Sequence, residues 1–215
     1  MRECDWKVRE FLSKMLTRVF VFLILAGLAA VPAHGFSPEP ADVVKQFQET
    51  LVTVMKQAER LGYRGRYQQL ESAVLDTHDI PFVARIIIGR YWNTLSPKEQ
   101  ALFVQTFQEL SVATYASRFD GYDGEQFRVI AQKPLPREKV LVETRLIQSN
   151  GKQRQFNYLL RRVGETWRII NIVVDGVSDL ALKRAEYTSL IKQKGFSALL
   201  AKMRAQISRY ENGQE

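Results

Sequence analysis

The chain has 215 residues, of which 46% are apolar, and its formal net charge is +8. A chain of this length can bury a substantial hydrophobic core. It contains one cysteine, Cys4, so a disulfide framework is excluded and a cysteine-ligated zinc site is too.

The first 35 residues have the pattern of a cleaved secretory signal peptide. Basic residues within 1–18 precede an apolar run, 19–31, and the small-residue segment "PAHG" follows it. The run is about 13 residues long, short of the roughly 20 that span a bilayer, which favours a signal peptide over a membrane anchor. Cleavage after Ala33 or Gly35 would remove Cys4 and deliver the mature chain to a bacterial periplasm.

The remaining sequence predicts a single ligand-binding domain over residues 36–210, followed by a polar tail, residues 211–215. Apolar residues at helical spacing predict a helix over 39–61. A short helical segment is predicted next, around Leu70 and Val74.

Two further helices are predicted before the strands. Proline at the first helical position predicts a helix over 81–94. The segment "SPKE" combines Ser96 as the N-cap, Pro97 at the first helical position and Glu99 three residues after the cap. This combination predicts a capping box and a helix that ends near Gly121.

Four segments with strand-like patterns follow, over residues 125–133, 139–148, 154–163 and 166–176. The short turns "SNGK" and "GE" predict hairpins between the later strands, and hence an antiparallel meander. Two amphipathic helices close the chain, with Ser178 capping the first and Gly195 ending it.

This order of elements indicates an α+β fold, in which several helices cover a curved four-stranded antiparallel sheet. If the helices stand off from the sheet, an apolar pocket lies between them. On the helices, the candidate lining residues are Phe82, Ile86, Tyr91, Trp92, Phe103 and Phe107. On the strands, they are Phe127, Val129, Val140, Val142, Leu146, Phe156, Tyr158, Leu160, Trp167, Ile169 and Val173. A filled core is the alternative, because a domain of this size needs about this much apolar material.

Positive charge is concentrated near the C-terminal end. Residues 181–210 hold seven basic residues and one acidic residue. This local surplus predicts a docking surface for acidic proteins or anionic membranes, at Lys183, Arg184, Lys192 and Lys194. A solvated helix face is the alternative. Nucleic acid is not an expected partner of an exported protein.

The sequence lacks a complete catalytic or metal-binding motif. Outside residues 1–35, His78 is the one histidine, and no G-x-S-x-G, P-loop or G-x-G-x-x-G motif is present. We therefore predict no catalytic residue, no metal and no cofactor. The alternative is an enzyme that uses Asp175, Tyr91, Tyr115 or Tyr158 in an apolar pocket.

Three segments carry a resemblance to a known family: "IIIGRYWNTLSPKEQALFVQTFQELSVATYASRFDGYDGEQF", "WRIINIVVDGVS" and "GFSALLAKM". In their order and spacing, the chain resembles the periplasmic phospholipid-binding family typified by MlaC, the toluene-tolerance auxiliary proteins. The resemblance implies a nuclear-transport-factor-like shape with acyl chains between sheet and helices and the head group at the mouth. It also implies a non-enzymatic carrier that moves lipid between inner- and outer-membrane transport proteins.

Two departures from the family pattern bear on the ligand. The family usually has an acidic residue where Asn171 stands, and Asp179 and Leu180 replace its apolar pair. The segment "LALKRAEYTSL" is similar to the hopanoid-associated branch, called HpnM. The resemblance thus implies either a phospholipid or a hopanoid-type lipid as ligand, and a non-binding accessory subunit is a further alternative.

Overall fold

Helices enclose a strand meander in residues 39–214, the part of the chain that the structure, a computed structural model, describes. The predicted signal peptide lies outside these residues. The α-helices are α1 (Pro40–Lys56), α2 (Ala58–Thr77), α3 (Ile80–Ile88), α4 (Pro97–Arg118), α5 (Asp179–Lys194) and α6 (Phe196–Glu211). A 3₁₀ helix, Gly89–Thr94, connects α3 to α4. Within the described residues, no helix has both the length and the apolar character needed to cross a membrane.

The strands form one antiparallel sheet whose order in space follows the chain. They are β1 (Gln126–Leu135), β2 (Lys139–Ile147), β3 (Gln153–Val163), β4 (Thr166–Val174) and β5 (Val177–Ser178). The α+β fold with a curved antiparallel sheet is confirmed. The sheet gains a fifth strand that was not predicted, because the chain turns sharply at Asp175 and Gly176 and pairs two more residues with β4.

The predicted capping box at the start of α4 is confirmed. The Ser96 hydroxyl accepts a hydrogen bond from the Glu99 backbone N–H at 3.3 Å. The Glu99 carboxylate accepts one from the Ser96 backbone N–H at 2.8 Å. These bonds satisfy two of the N–H groups that a helix start leaves without partners, so the helix begins where the sequence predicts.

Several predicted helix boundaries are wrong. The helix predicted over 39–61 ends at Lys56, and the short segment predicted after it is the long helix α2, with non-helical backbone at Gly62. The helix predicted to reach Thr94 is α-helical only to Ile88, because Gly89 adopts a φ of 53° and the chain tightens into a 3₁₀ helix. Helix α6 extends to Glu211, which pairs with Arg64 at 3.3 Å, so this residue belongs to the fold rather than to the tail.

The core lies between the sheet and the helices. Helix α1 packs across β1, β2 and β4 and buries Val44, Phe47 and Leu51 there. Helix α4 packs against α2 and α6, while α5 packs against α3, α6 and the β4 edge. Because α1, α2, α3 and α5 all pack against strands of the meander, apolar side chains cover the inner sheet face.

Candidate functional site

The inner face of the sheet holds most of the strand residues predicted to contact a ligand. Directly paired residues lie on the same face, and Val142 pairs with Tyr158 while Val140 pairs with Leu160. Leu160 also pairs with Ile169 of β4. All five side chains are buried. They pack with the helices as a hydrophobic core in this structure.

Two of the predicted helical residues lie in the same core. Phe103 and Phe107 of α4 are buried, and their rings stack with centroids 6.2 Å apart. Phe103 also contacts Phe196 of α6 edge to face, at 6.1 Å between centroids. Aromatic contacts thus join α4 to α6 within this core.

Most of the other predicted residues are half-buried, and five of them pack against this core: Tyr91, Trp92, Phe127, Phe156 and Trp167. Phe127 and Phe156, on β1 and β3, meet edge to face at 5.8 Å between centroids. The half-buried members of the predicted set are Phe82, Ile86, Tyr91, Trp92, Phe127, Leu146, Phe156, Trp167 and Val173.

Two β-bulges change the predicted strand faces. Between Leu159 and Leu160 the register shifts by one residue of β4, so Ile172, not Val173, pairs with Tyr158 on the inner face. Val173 pairs with Asn157 on the opposite face, so its predicted inward position is wrong. The register between β1 and β2 also shifts after Val129, and the Val129 side chain, which was predicted to line the pocket, is 39% exposed.

A groove of about 690 Å³ opens between α3, the 3₁₀ helix and α4. Its apolar lining consists of Pro81, Phe82, Trp92, Pro97, Ala101 and Val104. Its charged lining consists of Asp79, Arg85 and Arg161. Sequence reasoning predicted Phe82 and Trp92 as ligand contacts but missed both arginines. Arg161 could not be placed because only the folded chain brings the end of β3 next to α3, whereas Arg85 lies on α3 itself and had no pattern that marked it.

An ion pair fixes one wall of this groove. The Asp79 carboxylate caps α3 by accepting from the Phe82 backbone N–H at 3.2 Å, and it accepts from Arg161 Nε at 2.5 Å. The Arg161 guanidinium carbon lies 4.2 Å from the centroid of the Phe82 ring, a cation–π distance. The Asp79 backbone N–H donates to the Ile169 carbonyl at 3.0 Å, which ties the start of α3 to β4.

His78 lies at the end of α2 in an aromatic cluster. Its Nε2 atom is 3.0 Å from the Tyr115 hydroxyl, its Nδ1 atom is 2.9 Å from the Thr77 hydroxyl, and the Phe47 ring meets it edge to face. Burial lowers the pKa of His78 to about 4 and raises the pKa of Tyr115 well above its ordinary value. The imidazole is therefore neutral at pH 7. Within residues 39–214, no cluster of three or more His, Cys, Asp or Glu side chains could hold a metal ion.

The carboxylate considered for an enzyme lies away from the apolar layers. Asp175 is exposed in the turn between β4 and β5, where it accepts hydrogen bonds from Arg154 Nε and the Gln155 backbone N–H, both at 2.8 Å. These hydrogen bonds lower the pKa of Asp175. An acid in an apolar pocket would need the opposite shift. Of the tyrosines in that alternative, Tyr158 is buried, and burial raises its pKa.

The four predicted docking residues differ in their surroundings. Lys183 pairs with Asp179 at 2.7 Å. Arg184 donates through Nη1 to the Ile86 carbonyl at 3.0 Å, so it satisfies a free carbonyl at the end of α3. Lys192 and Lys194 are exposed in the last turn of α5 and form no ion pair with another described residue.

A curved antiparallel sheet closed by helices is also the fold of a solved structure, the phospholipid-binding protein from Ralstonia solanacearum in complex with a phospholipid. The TM-score is 0.72 at 15% identity, and the match covers 80% of this chain and 99% of that chain. The two proteins therefore share a fold.

The chain belongs to the MlaC protein family, which matches residues 45–205. It is 23% identical over 134 residues to the intermembrane phospholipid transport system binding protein MlaC of Haemophilus influenzae, covering 60% of this chain and 63% of that protein. It is 21% identical over 178 residues to the toluene tolerance protein ttg2D of Pseudomonas putida, covering 80% of this chain and 82% of that protein. The first alignment thus spans less than two thirds of its relative, and the second spans most of it.

Proposed function

We propose that the protein is a lipid-binding transport protein of the bacterial periplasm that carries a phospholipid or a hopanoid-type lipid without changing it chemically. The observation that carries this proposal is membership of the MlaC family over residues 45–205. The phospholipid in the Ralstonia structure of the same fold supports a lipid as the ligand. The predicted signal peptide supports the periplasm.

In this proposal the acyl chains lie between the inner sheet face and the helices. Leaving a chain of about 16 carbons in water costs on the order of 12 kcal/mol, at about 0.8 kcal/mol per CH₂. The inner face offers buried aliphatic and aromatic side chains, among them Val142, Tyr158 and Ile169. In this structure these side chains pack against the helices. A bound lipid would therefore replace contacts between protein side chains with contacts to its acyl chains, and both kinds of contact are apolar.

The 3₁₀ helix Gly89–Thr94 is the part of the wall that we propose moves to admit the lipid, while α3 stays in place through its buried residues Ile80, Ala84, Ile87 and Ile88. The 3₁₀ helix Gly89–Thr94 contains no fully buried residue, so its displacement disturbs less of the core than displacement of α1 or α4 would. Its hydrogen-bond geometry is also poorer than that of an α-helix, so this connector is held less firmly than the helices beside it. The half-buried Tyr91 and Trp92 would then contact the lipid as it enters.

The direction of transport would come from partner proteins of the inner and outer membranes, because transfer from bilayer to protein exchanges one apolar environment for another. The exposed Lys192 and Lys194 are proposed to contact acidic patches of those partners or, transiently, anionic membrane surfaces.

Native mass spectrometry of the exported protein, combined with lipid extraction, tests the proposal. We expect intact lipid to co-purify and to remain unchanged during incubation, and its mass distinguishes a phospholipid from a hopanoid. Phe156→Arg, at the border of the inner face, should lower the bound lipid at least about tenfold because it places a charge against the acyl chains. The matched control Ile130→Arg alters a side chain that is 52% exposed and should retain lipid.

Circular dichroism of both variants checks that they fold. Wild-type protein that is empty after isolation and takes up no added lipid would identify a non-binding accessory subunit. Conversion of the lipid during incubation would identify an enzyme.

A further inference from the structure

We propose that Arg161, together with Arg85, binds the phosphate of the lipid head group in the groove between α3 and α4. This inference rests on the proposed lipid-binding function and assigns the part of the ligand that remains outside the apolar layers. The ligand class is an apolar chain that ends in a phosphate ester.

Arg161 is already held in one orientation before any ligand binds. Asp79 accepts from its Nε at 2.5 Å, and the Phe82 ring lies beneath the guanidinium at 4.2 Å. The Nη1 and Nη2 groups donate to no acceptor among the described residues. A planar guanidinium with two free NH₂ groups matches two phosphate oxygens, and its fixed position reduces the entropy cost of binding.

The charge of the groove favours an anion. Two arginines line it against one carboxylate, that of Asp79, which Arg161 and the Phe82 N–H already engage. Arg85 is exposed on α3 and forms no ion pair with another described residue. The groove therefore carries positive charge that is not neutralised by its own lining.

The apolar lining favours a phosphate that is attached to an apolar chain over a free phosphate. Trp92 and Val104 line the groove and also pack against the hydrophobic core. A lipid held by its phosphate at Arg161 would thus lie next to the apolar layers. A volume of about 690 Å³ is within the range of small-molecule sites.

Calorimetric titration of the delipidated, exported protein tests the inference with three probes. Dioctanoylphosphatidylglycerol carries both the apolar chains and the phosphate. Dioctanoylglycerol lacks the phosphate, and inorganic phosphate lacks the chains. We expect Arg161→Gln to weaken binding of the phosphatidylglycerol about tenfold or more and to leave dioctanoylglycerol binding unchanged, since charged hydrogen bonds to phosphate are lost. Arg161→Lys should restore part of the affinity, because the charge returns without the fork geometry.

Arg128→Gln is the matched control, because this arginine is exposed on β1, the edge strand at the other side of the sheet, which does not pack against α3. If Arg161→Gln does not fold, Arg85→Gln repeats the test without disturbing Asp79. We expect it to show the same selective loss of phosphatidylglycerol binding.

An equal loss of binding for both dioctanoyl probes would overturn the inference and leave Arg161 a structural role. Inorganic phosphate binding as tightly as phosphatidylglycerol would overturn it in favour of a free-anion site. A wild-type protein that binds neither dioctanoyl probe would overturn this inference, whereas the proposed function fails only if the isolated protein also carries no lipid and takes up none.

Discussion

His78 shows how one buried residue makes stability depend on pH. Its pKa is about 4 in the folded chain against an ordinary 6.5, because burial disfavours the imidazolium. Between these values the unfolded chain binds the proton and the folded chain does not, so the free energy of unfolding falls as the pH falls. We expect a loss of about 2 kcal/mol from pH 7 to pH 5. Urea unfolding at both pH values measures it.

The control for this prediction is His78→Gln, which retains polar atoms near Tyr115 but does not titrate. Its stability at pH 7 can be lower, because the contacts with Phe47 and Tyr115 are altered. The quantity to compare is the difference between pH 7 and pH 5, which should shrink to a small fraction of the wild-type value. An unchanged difference would mean that carboxylates, not His78, carry the pH dependence.

At the scale of single elements, Gly89 separates α3 from the 3₁₀ helix. Its φ of 53° favours glycine, and an added Cβ would lie 3.1 Å from Arg184 Nη2. Gly89→Ala should therefore lower the free energy of unfolding by about 2–3 kcal/mol, from backbone strain and from disturbance of the bond between Arg184 and Ile86. Gly164→Ala is the control, because Gly164 has a similar φ of 59° but open space where the Cβ would lie. It should lower the free energy of unfolding by backbone strain alone, about 1–2 kcal/mol. Chemical denaturation of both variants measures the difference, and equal losses would show that the Arg184 contact contributes nothing.

Features fixed by neighbouring residues were predictable from the sequence, and features fixed by long-range packing were not. The capping box at Ser96 depends on residues three apart, so its pattern is sufficient. The face of Val173 depends on a bulge within an uninterrupted apolar run, where no alternation marks the extra residue. The arginine at the groove, Arg161, looked like one of two adjacent strand arginines. What distinguishes it, the hydrogen bond to Asp79 from 82 residues away, exists only in the folded chain.

At the scale of the whole molecule, positive charge can promote the approach to an anionic membrane in two ways. It can act through a local docking surface on α5 or through the net charge of the whole chain. Lys183 and Arg184 have partners within the fold, so Lys192 and Lys194 are the sharper test. Their double substitution to Glu should slow lipid transfer from anionic vesicles several-fold at low salt. Because the charges are exposed, about 0.5 M salt should abolish the effect by screening, and the bound lipid should not change.

A double variant elsewhere on the surface separates the two explanations. Lys98→Glu with Lys152→Glu changes the net charge by the same amount, at exposed positions on α4 and in the turn between β2 and β3. If the surface on α5 is the docking site, this second variant transfers lipid at nearly the wild-type rate, measured with fluorescent lipid in the same vesicles. If both variants are slowed equally, the net charge of the chain governs the approach to the membrane, and α5 has no special role. Loss of bound lipid in the α5 variant alone would instead connect that helix to the lipid site, since α5 packs against α3 and its Arg184 bonds to Ile86.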